Sequence, residues 1–252
     1  MNPEEFANIA RSEQEFWWYR GMRDILFRLL DPIAREETFE RVVEAGCGTG
    51  HLSTVLAERY GWNMFPLDLG SEGLKYAREF GLGQLTQGDI TSLPFADESF
   101  DALLSIDVLP HLPKGNEVTA VAEFARVVRP GGLLVIRAAA LDILRSRHSQ
   151  FAHERQRFTR GRLSKLVESA GFEIERLTYA NSLLMPLALF KFRVWEPITR
   201  QAAQSGVQPV AKWLDESLYR PLKAEASWIG RGRSLPTGQS LVLVARRNSP
   251  TP

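Results

Sequence analysis

Within RVVEAGCGTGHL, glycines stand at positions 46, 48 and 50, after a short β-branched run and before a segment of helical spacing. Glycine has no Cβ, so such a turn adopts unusual dihedrals and lets a ligand approach the backbone closely. A following helix aims free N–H groups at an anion. A pyrophosphate would suit that position, and so would a single carboxylate. Spacing narrows the choice. A dinucleotide turn reads G-x-G-x-x-G, but position 51, where its third glycine would fall, is His51. A P-loop needs Lys-Ser or Lys-Thr after the glycines, and neither follows here.

Two acids fall at matching places downstream. Asp68 ends the second expected strand, 22 residues after Gly46, and Asp89 ends the third, in QGDI. Ligands of open α/β sheets lie outside the carboxyl ends of the strands, so Glu44, Asp68 and Asp89 are expected to converge on one cleft. A carboxylate at the second strand end can accept hydrogen bonds from two ribose hydroxyls. One at the third can accept from an exocyclic amine. The implied ligand is an adenosine with a carboxylate-bearing tail and no phosphates.

The elements that must position these groups alternate. RVVEA, WNMFPLDL, GQLTQGDI, FDALLSID and RPGGLLVIRAA read as strands. HLSTVLAERY, SEGLKYAREF (with Ser71 as N-cap) and EVTAVAEFARVV read as the helices between them. GRLSKLVESAGFEIERLTYA adds a helix, a glycine stop and a sixth strand, and SLVLVARR a last strand. Such β-then-α repeats predict an α/β, Rossmann-like doubly wound sheet, mostly parallel, with helices on both faces. Residues 1–35 are expected to form an N-terminal helical lid. Residues 36–180 and 239–248 form the core. Residues 181–238, which break the rhythm, are expected to be a helical cap inserted before the last strand.

The segments VVEAGCGTG, PLDLGSEGLKYA, QGDITSLPFADESFDALLSIDVLPHL and RPGGLLVI resemble, in order and spacing, the class I S-adenosylmethionine-dependent methyltransferases, particularly the type 11 group. The resemblance covers roughly residues 40–180 and implies a seven-stranded sheet whose last strand is antiparallel. It implies S-adenosylmethionine as cofactor, with S-adenosylhomocysteine as product. Gly46, Gly48 and Gly50 would line the methionine and ribose, beside Glu44, Ala45 and Cys47. Asp68 would hold the ribose hydroxyls, and Leu69 would rest on the adenine. Asp89 would take the adenine amine beside the Ile90 backbone, with Ser105 and Ile106 under the sulfonium. Related enzymes close the site with an aromatic N-terminal segment carrying an arginine for the methionine carboxylate. Here that segment is FWWYRGMR, giving Tyr19 and Arg23, or Arg20. Its other reading is a core anchor. Pro66 departs from the family's small or β-branched residue and predicts a distorted second strand.

His111, just after the fourth strand, reads as a loop packing residue or as a general base, since an imidazole pKa of about 6.5 suits proton abstraction. RSRHSQFAHERQRFTRGR has six arginines and two histidines against one glutamate. It is either a solvated face or, through Arg155 and Arg157, a grip on an anionic acceptor. NSLLMPLALFKFRVW offers Leu183, Met185 and Phe190 as an apolar acceptor wall bordered by Lys191, Arg193 and Arg200, or as residues packed onto the sheet.

The remaining numbers exclude other classes. The net charge is +1 over 252 residues, and no base-methylation motif is present, so nucleic acid is not an expected partner. The single cysteine, Cys47, rules out an internal disulfide and a Cys-rich zinc site, and no metal is expected. The polar N-terminus and the short apolar runs predict a cytoplasmic protein without a transmembrane segment. Expected is methyl transfer, at oxygen, to a small-molecule, sugar or lipid-linked acceptor bearing an anionic group. The competing readings are a non-catalytic binder of the same cofactor and an aminopropyl transferase. The latter would want several acids near the fourth strand, where only Asp107 stands.

Overall fold

The computed structural model describes residues 2–199, 202–207 and 210–249; Arg200 lies outside them. The chain opens with α1 (Pro3–Ser12) and α2 (Trp17–Glu36). Then come β1 (Arg41–Ala45), α3 (His51–Tyr60), β2 (Asn63–Asp68), α4 (Ser71–Glu79), β3 (Thr86–Gln87), β4 (Phe100–Ile106), α5 (Asn116–Val127) and β5 (Val128–Ala139). The short α6 (Arg147–Phe151), α7 (Arg160–Ser169) and β6 (Phe172–Ala180) follow. Next are α8 (Met185–Phe190), a π-helical turn (Lys191–Trp195), α9 (Glu196–Thr199), α10 (Lys212–Gly230) and β7 (Ser240–Arg247).

The seven strands form one sheet in the order β3-β2-β1-β4-β5-β7-β6. β3, β2, β1, β4 and β5 run parallel, and β7 is antiparallel to both β5 and β6. Strand alternation feeds two cores. Val43, Leu103 and Leu134 face a cluster with Phe124 of α5 and Leu163 of α7. Val42, Ala102, Leu104, Leu133 and Val135 face the other, with Ile25 of α2, Leu56 of α3 and Ile229 of α10. Strands buried on both faces read as continuous apolar runs, as these do.

Three local expectations are corrected. Ser71 is the first residue of α4, not its cap; Gly70 is the cap, and its N–H donates to Asp68 Oδ1 at 2.7 Å. β3 shrinks to two residues because β2 joins it only at Leu67 and Asp68. Pro66 pairs opposite Glu44 without any register shift. An imide nitrogen costs little in a strand whose outer neighbour starts one residue later.

The N-terminal aromatic helix belongs to the core. Met22, Ile25, Leu26, Leu29 and Leu30 of α2 are all buried. α10 lies along α2: Asp215 accepts from the Trp17 N–H at 2.9 Å, and Arg20 pairs with Asp215 and Glu216 and stacks over Tyr219. Arg20 is thereby drawn away from the cleft. α1 and the turn up to Phe16 lie over the cleft, and Trp17, Trp18, Tyr19 and Arg23 at the start of α2 line it as well.

A Cβ at Gly21 would come within 2.4 Å of Leu222 Cβ, so α2 and α10 meet at glycine distance. Gly21→Ala is expected to destabilise by about 1–3 kcal/mol through overpacking, lowering the thermal midpoint by ~2–4 °C per kcal/mol. An unchanged midpoint in a circular-dichroism melt would contradict this seating of α10.

Candidate active site

A cavity of about 760 Å³ opens at the carboxyl ends of β1, β2 and β4. Its floor is the turn after β1. Gly46 and Cys47 donate their N–H groups to the Leu67 carbonyl at 2.7 and 2.9 Å, which fixes the turn to β2. Gly46 has φ of +93°, and a Cβ there would lie 2.2 Å from Val108. Gly50, at +79°, caps α3 and would collide with Ala77. Gly48 differs: a Cβ on it would meet nothing nearer than Phe6 at 4.0 Å, so its backbone is open to the cavity.

Asp68 orders this region. Its Oδ2 accepts from the Gly48 N–H at 2.8 Å and its Oδ1 from the Gly70 N–H. Burial nonetheless pushes its pKa up. Leu69, Asp89 and Ile90 follow along the cavity wall. Asp89 stands just past β3, accepting from the Thr91 N–H at 2.8 Å.

The end toward α2 is crowded with acids. Glu44 is buried beneath the turn and accepts from Ser53 Oγ. Burial raises its pKa from about 4.5 to about 8. Glu13 Oε2 accepts from Thr49 Oγ1 at 2.5 Å, while its Oε1 is buried without a partner. Burial lifts Glu13 to about 7, against the opposing pull of Thr49 and Arg23. Arg23 donates to the carbonyls of Glu13 and Gln14 and lies 3.1 Å from His51 Nε2. A guanidinium only donates, so Nε2 accepts and the His51 proton sits on Nδ1. Burial, then the Arg23 charge, lowers the His51 pKa to about 4. Burial raises the Cys47 thiol, with Glu44 and Asp68 adding to the effect, which removes it as a nucleophile.

The other end is walled by Tyr19, Ile106, Asp107, His111, Arg137 and Arg157, among others. Arg137 grips Asp107 through Nε (2.9 Å) and Nη2 (2.6 Å) and lies over the Trp18 ring. His111 Nδ1 is buried without a partner, and burial lowers the ring's pKa. α1 closes the roof. Phe6 packs over Gly48, Gly70 and Gly73, and buried Glu5 accepts from Ser205 Oγ at 3.0 Å.

Most sequence-predicted residues therefore share one cavity: Tyr19, Arg23, Glu44, Gly46, Cys47, Gly48, Asp68, Leu69, Asp89, Ile90, Ile106, His111 and Arg157 line it. Ala45, Gly50 and Ser105 do not; Ala45 and Ser105 point into the sheet packing, and Gly50 is spent on the helix cap. Arg155 is exposed outside the cavity. Arg157 is tied to Glu154, 2.6 Å away. Met185 lies off the wall, its sulfur accepting from Thr237 Oγ1. Leu183 and Phe190 are exposed and also miss it. The cap wall comes instead from Lys191, Phe192, Trp195 and Glu196, on and beside the π turn. Sequence reasoning missed Glu5, Phe6, Glu13 and Arg137. Only Arg137 left a signal, a charge within the apolar run LLVIRAA.

The buried acids set a pH dependence. Folded Glu13 and Glu44 keep protons that the unfolded chain releases above about pH 4.5. The folded state thus binds more protons between pH 4.5 and 7–8, and stability falls as pH rises through that window. The cofactor-free protein is expected to lose on the order of 1–3 kcal/mol between pH 5 and 8, and Glu44→Gln to flatten the profile. Denaturant titrations in which wild type gains stability across the window, or in which the variant keeps the wild-type slope, would contradict this.

The comparisons with known proteins agree with this geometry. Residues 43–136 match the family model described as a methyltransferase domain. The chain is 28% identical over 176 residues to the 2-methyl-6-phytyl-1,4-hydroquinone methyltransferase of Synechocystis, spanning 63% of this chain and 54% of that one. It is 38% identical over 104 residues to the malonyl-[acyl-carrier protein] O-methyltransferase of Pectobacterium atrosepticum, spanning 40% and 39%. The chain thus spans about half or less of the length of these curated relatives. Among solved structures, the geranyl diphosphate C-methyltransferase of Streptomyces coelicolor shares the fold, with TM-score 0.53 and 14% identity over 82% of this chain and 72% of that one. The glycine turn, the acids at the strand ends, the antiparallel β7 and these matches support a class I S-adenosylmethionine-dependent methyltransferase, with residues 43–136 as its methyltransferase domain.

Proposed function

We propose that the protein transfers the methyl group of S-adenosylmethionine to an oxygen of a small-molecule acceptor. The observation that carries this reading is the continuity of the cavity. One space runs from Asp68 and Leu69, past Ile106, to His111 and the Phe192–Trp195 wall, so cofactor and acceptor would share it.

The chain's residues fit the cofactor. Arg23, its Nη atoms held by two carbonyls, keeps Nε for a methionine carboxylate. Glu13 offers its unpartnered Oε1 to the methionine ammonium, which would hold Glu13 ionised. The open Gly48 backbone receives the tail, Asp68 receives ribose hydroxyls, Leu69 lies against the base and Asp89 accepts from its amine. When bound, S-adenosylmethionine supplies an electrophilic methyl group. The protein's part is then to hold the acceptor oxygen in line, where placement supplies much of the rate, and to take up its proton.

His111 is the proposed base. Its lowered pKa keeps the imidazole neutral, and able to accept a proton, at pH 7. The acceptor side combines apolar Phe192 and Trp195 with Lys191, Arg147 and Arg157, which supports an apolar, lipid-like acceptor with an anionic group. Relatives named as O-methyltransferases of malonyl-carrier protein and of fatty acids support oxygen. The pairing of Asp107 with Arg137 argues against a polyamine site.

A screen of hydroxylated and carboxylated acceptors, read by release of S-adenosylhomocysteine, is expected to find turnover; binding of the cofactor without turnover on any acceptor would favour the non-catalytic reading. His111→Ala is expected to lower kcat about a hundredfold or more with cofactor affinity retained. The wild-type rate should stay level from pH 8 down past the ordinary imidazole value, falling only once His111 protonates. An unchanged kcat in the variant would return His111 to a packing role.

A further inference from the structure

The helical run from α8 through the π turn to α9 has two faces. One walls the cavity, through Phe192, Trp195 and Glu196. The other carries Leu187, Phe190, Val194 and Ile198 at helical intervals, extended by Leu183 in the turn before α8, all between 43 and 71% exposed. Ile143 joins them: Arg193 Nε donates to its carbonyl at 2.7 Å, and its side chain is as exposed as the rest. Monomeric soluble proteins rarely leave so long an apolar stripe in water.

The charges beside this stripe are mostly positive: Arg145, Arg147, Lys191 and Arg193 stand there against Asp142 and Glu196. Lys191, which also lines the cavity rim, and Arg193, which donates to the Ile143 and Asp142 carbonyls, flank the stripe; both are exposed and neither is in an ion pair among the described residues. The acids nearby are engaged: Glu196 accepts from the Arg147 N–H at 2.9 Å, and Asp142 pairs with Arg145 at 3.1 Å. Among the described residues no helix is long and apolar enough to cross a membrane. An apolar stripe with flanking cations on a helix too short to span is the pattern of one that lies in the plane of a bilayer surface.

We infer that the Leu187–Phe190–Val194–Ile198 face of this helical run seats the protein on an anionic phospholipid bilayer. Trp195 links the two faces, being both 57% exposed and part of the cavity wall. The seated protein therefore turns that wall of its cavity toward the lipid. Apolar side chains enter the headgroup–acyl boundary while Lys191 and Arg193 meet the lipid phosphates.

Co-sedimentation with vesicles tests this directly. The full chain should partition onto phosphatidylcholine–phosphatidylglycerol vesicles, about tenfold or more over phosphatidylcholine alone, with added salt weakening the binding. Leu187→Asp and Val194→Asp lie off the cavity wall. Each should abolish partitioning while leaving the circular-dichroism spectrum and S-adenosylhomocysteine affinity unchanged. Retained affinity separates a failure of docking from a failure of the proposed cofactor site. Absence of partitioning by wild type overturns the inference, as does partitioning that survives both substitutions. Sedimentation velocity covers the remaining occupant: a dimer that both substitutions dissociate, without vesicle binding, would make the face a contact between copies and overturn the bilayer assignment.

Discussion

The two hydrogen bonds accepted by the Asp68 carboxylate hold the site together. One oxygen takes the Gly48 N–H from the turn after β1, and the other takes the Gly70 N–H from the cap of α4. A single side chain thus fixes two loops that leave adjacent parallel strands. The Leu67 carbonyl, one residue earlier, takes the N–H groups of Gly46 and Cys47. The turn can then approach the cavity with open backbone at Gly48, while Phe6 packs over both loops. Charge-assisted bonds of this kind are among the stronger ones a protein makes. Asp68 keeps them in spite of a burial that disfavours its charge.

Burying acids costs free energy unless something compensates. Glu13, Glu44 and Asp68 gather at one end with few cations of their own, and burial raises all three pKa values. Such a pocket favours a ligand that brings positive charge. The cofactor of this family carries two positive groups, an ammonium and a sulfonium. At the other end Arg137 and Arg157 are paired with Asp107 and Glu154, and Lys191 and Arg147 stand against Glu196, which leaves a slight excess of positive charge. The polarity of the cavity thus runs from acidic at the cofactor end to slightly basic at the acceptor wall, in keeping with the proposed division of the space.

Much of this was legible in the sequence, for a physical reason. Parallel strands buried on both faces need unbroken apolar runs, and their carboxyl ends set the position of the ligand. VVEAGCGTG, the acid ending PLD and the acid in QGDI therefore declare both sheet and cleft. What stayed hidden depends on tertiary direction. Glu5 and Glu13 are ordinary acids in an N-terminal helix and turn until the chain folds them over the sheet. Leu183, Met185 and Phe190 have the composition of a pocket wall, but helical phase turns them elsewhere, and the π turn swings Phe192 and Trp195 inward instead. The aromatic run near the N-terminus reads as lid or core with equal justice, and its docking against α10 puts α2 in the core.

The central claim is that the glycine turn and Asp68 form an adenosine site without a phosphate subsite. Titration calorimetry tests it most directly, with S-adenosylhomocysteine, NAD and ATP as ligands of wild type and of Asp68→Ala. The account predicts binding of S-adenosylhomocysteine alone, weakened in the variant by about 2–3 kcal/mol as charge-assisted hydrogen bonds are lost. Binding of NAD or ATP at comparable strength, or an affinity for S-adenosylhomocysteine unchanged by the substitution, would contradict it.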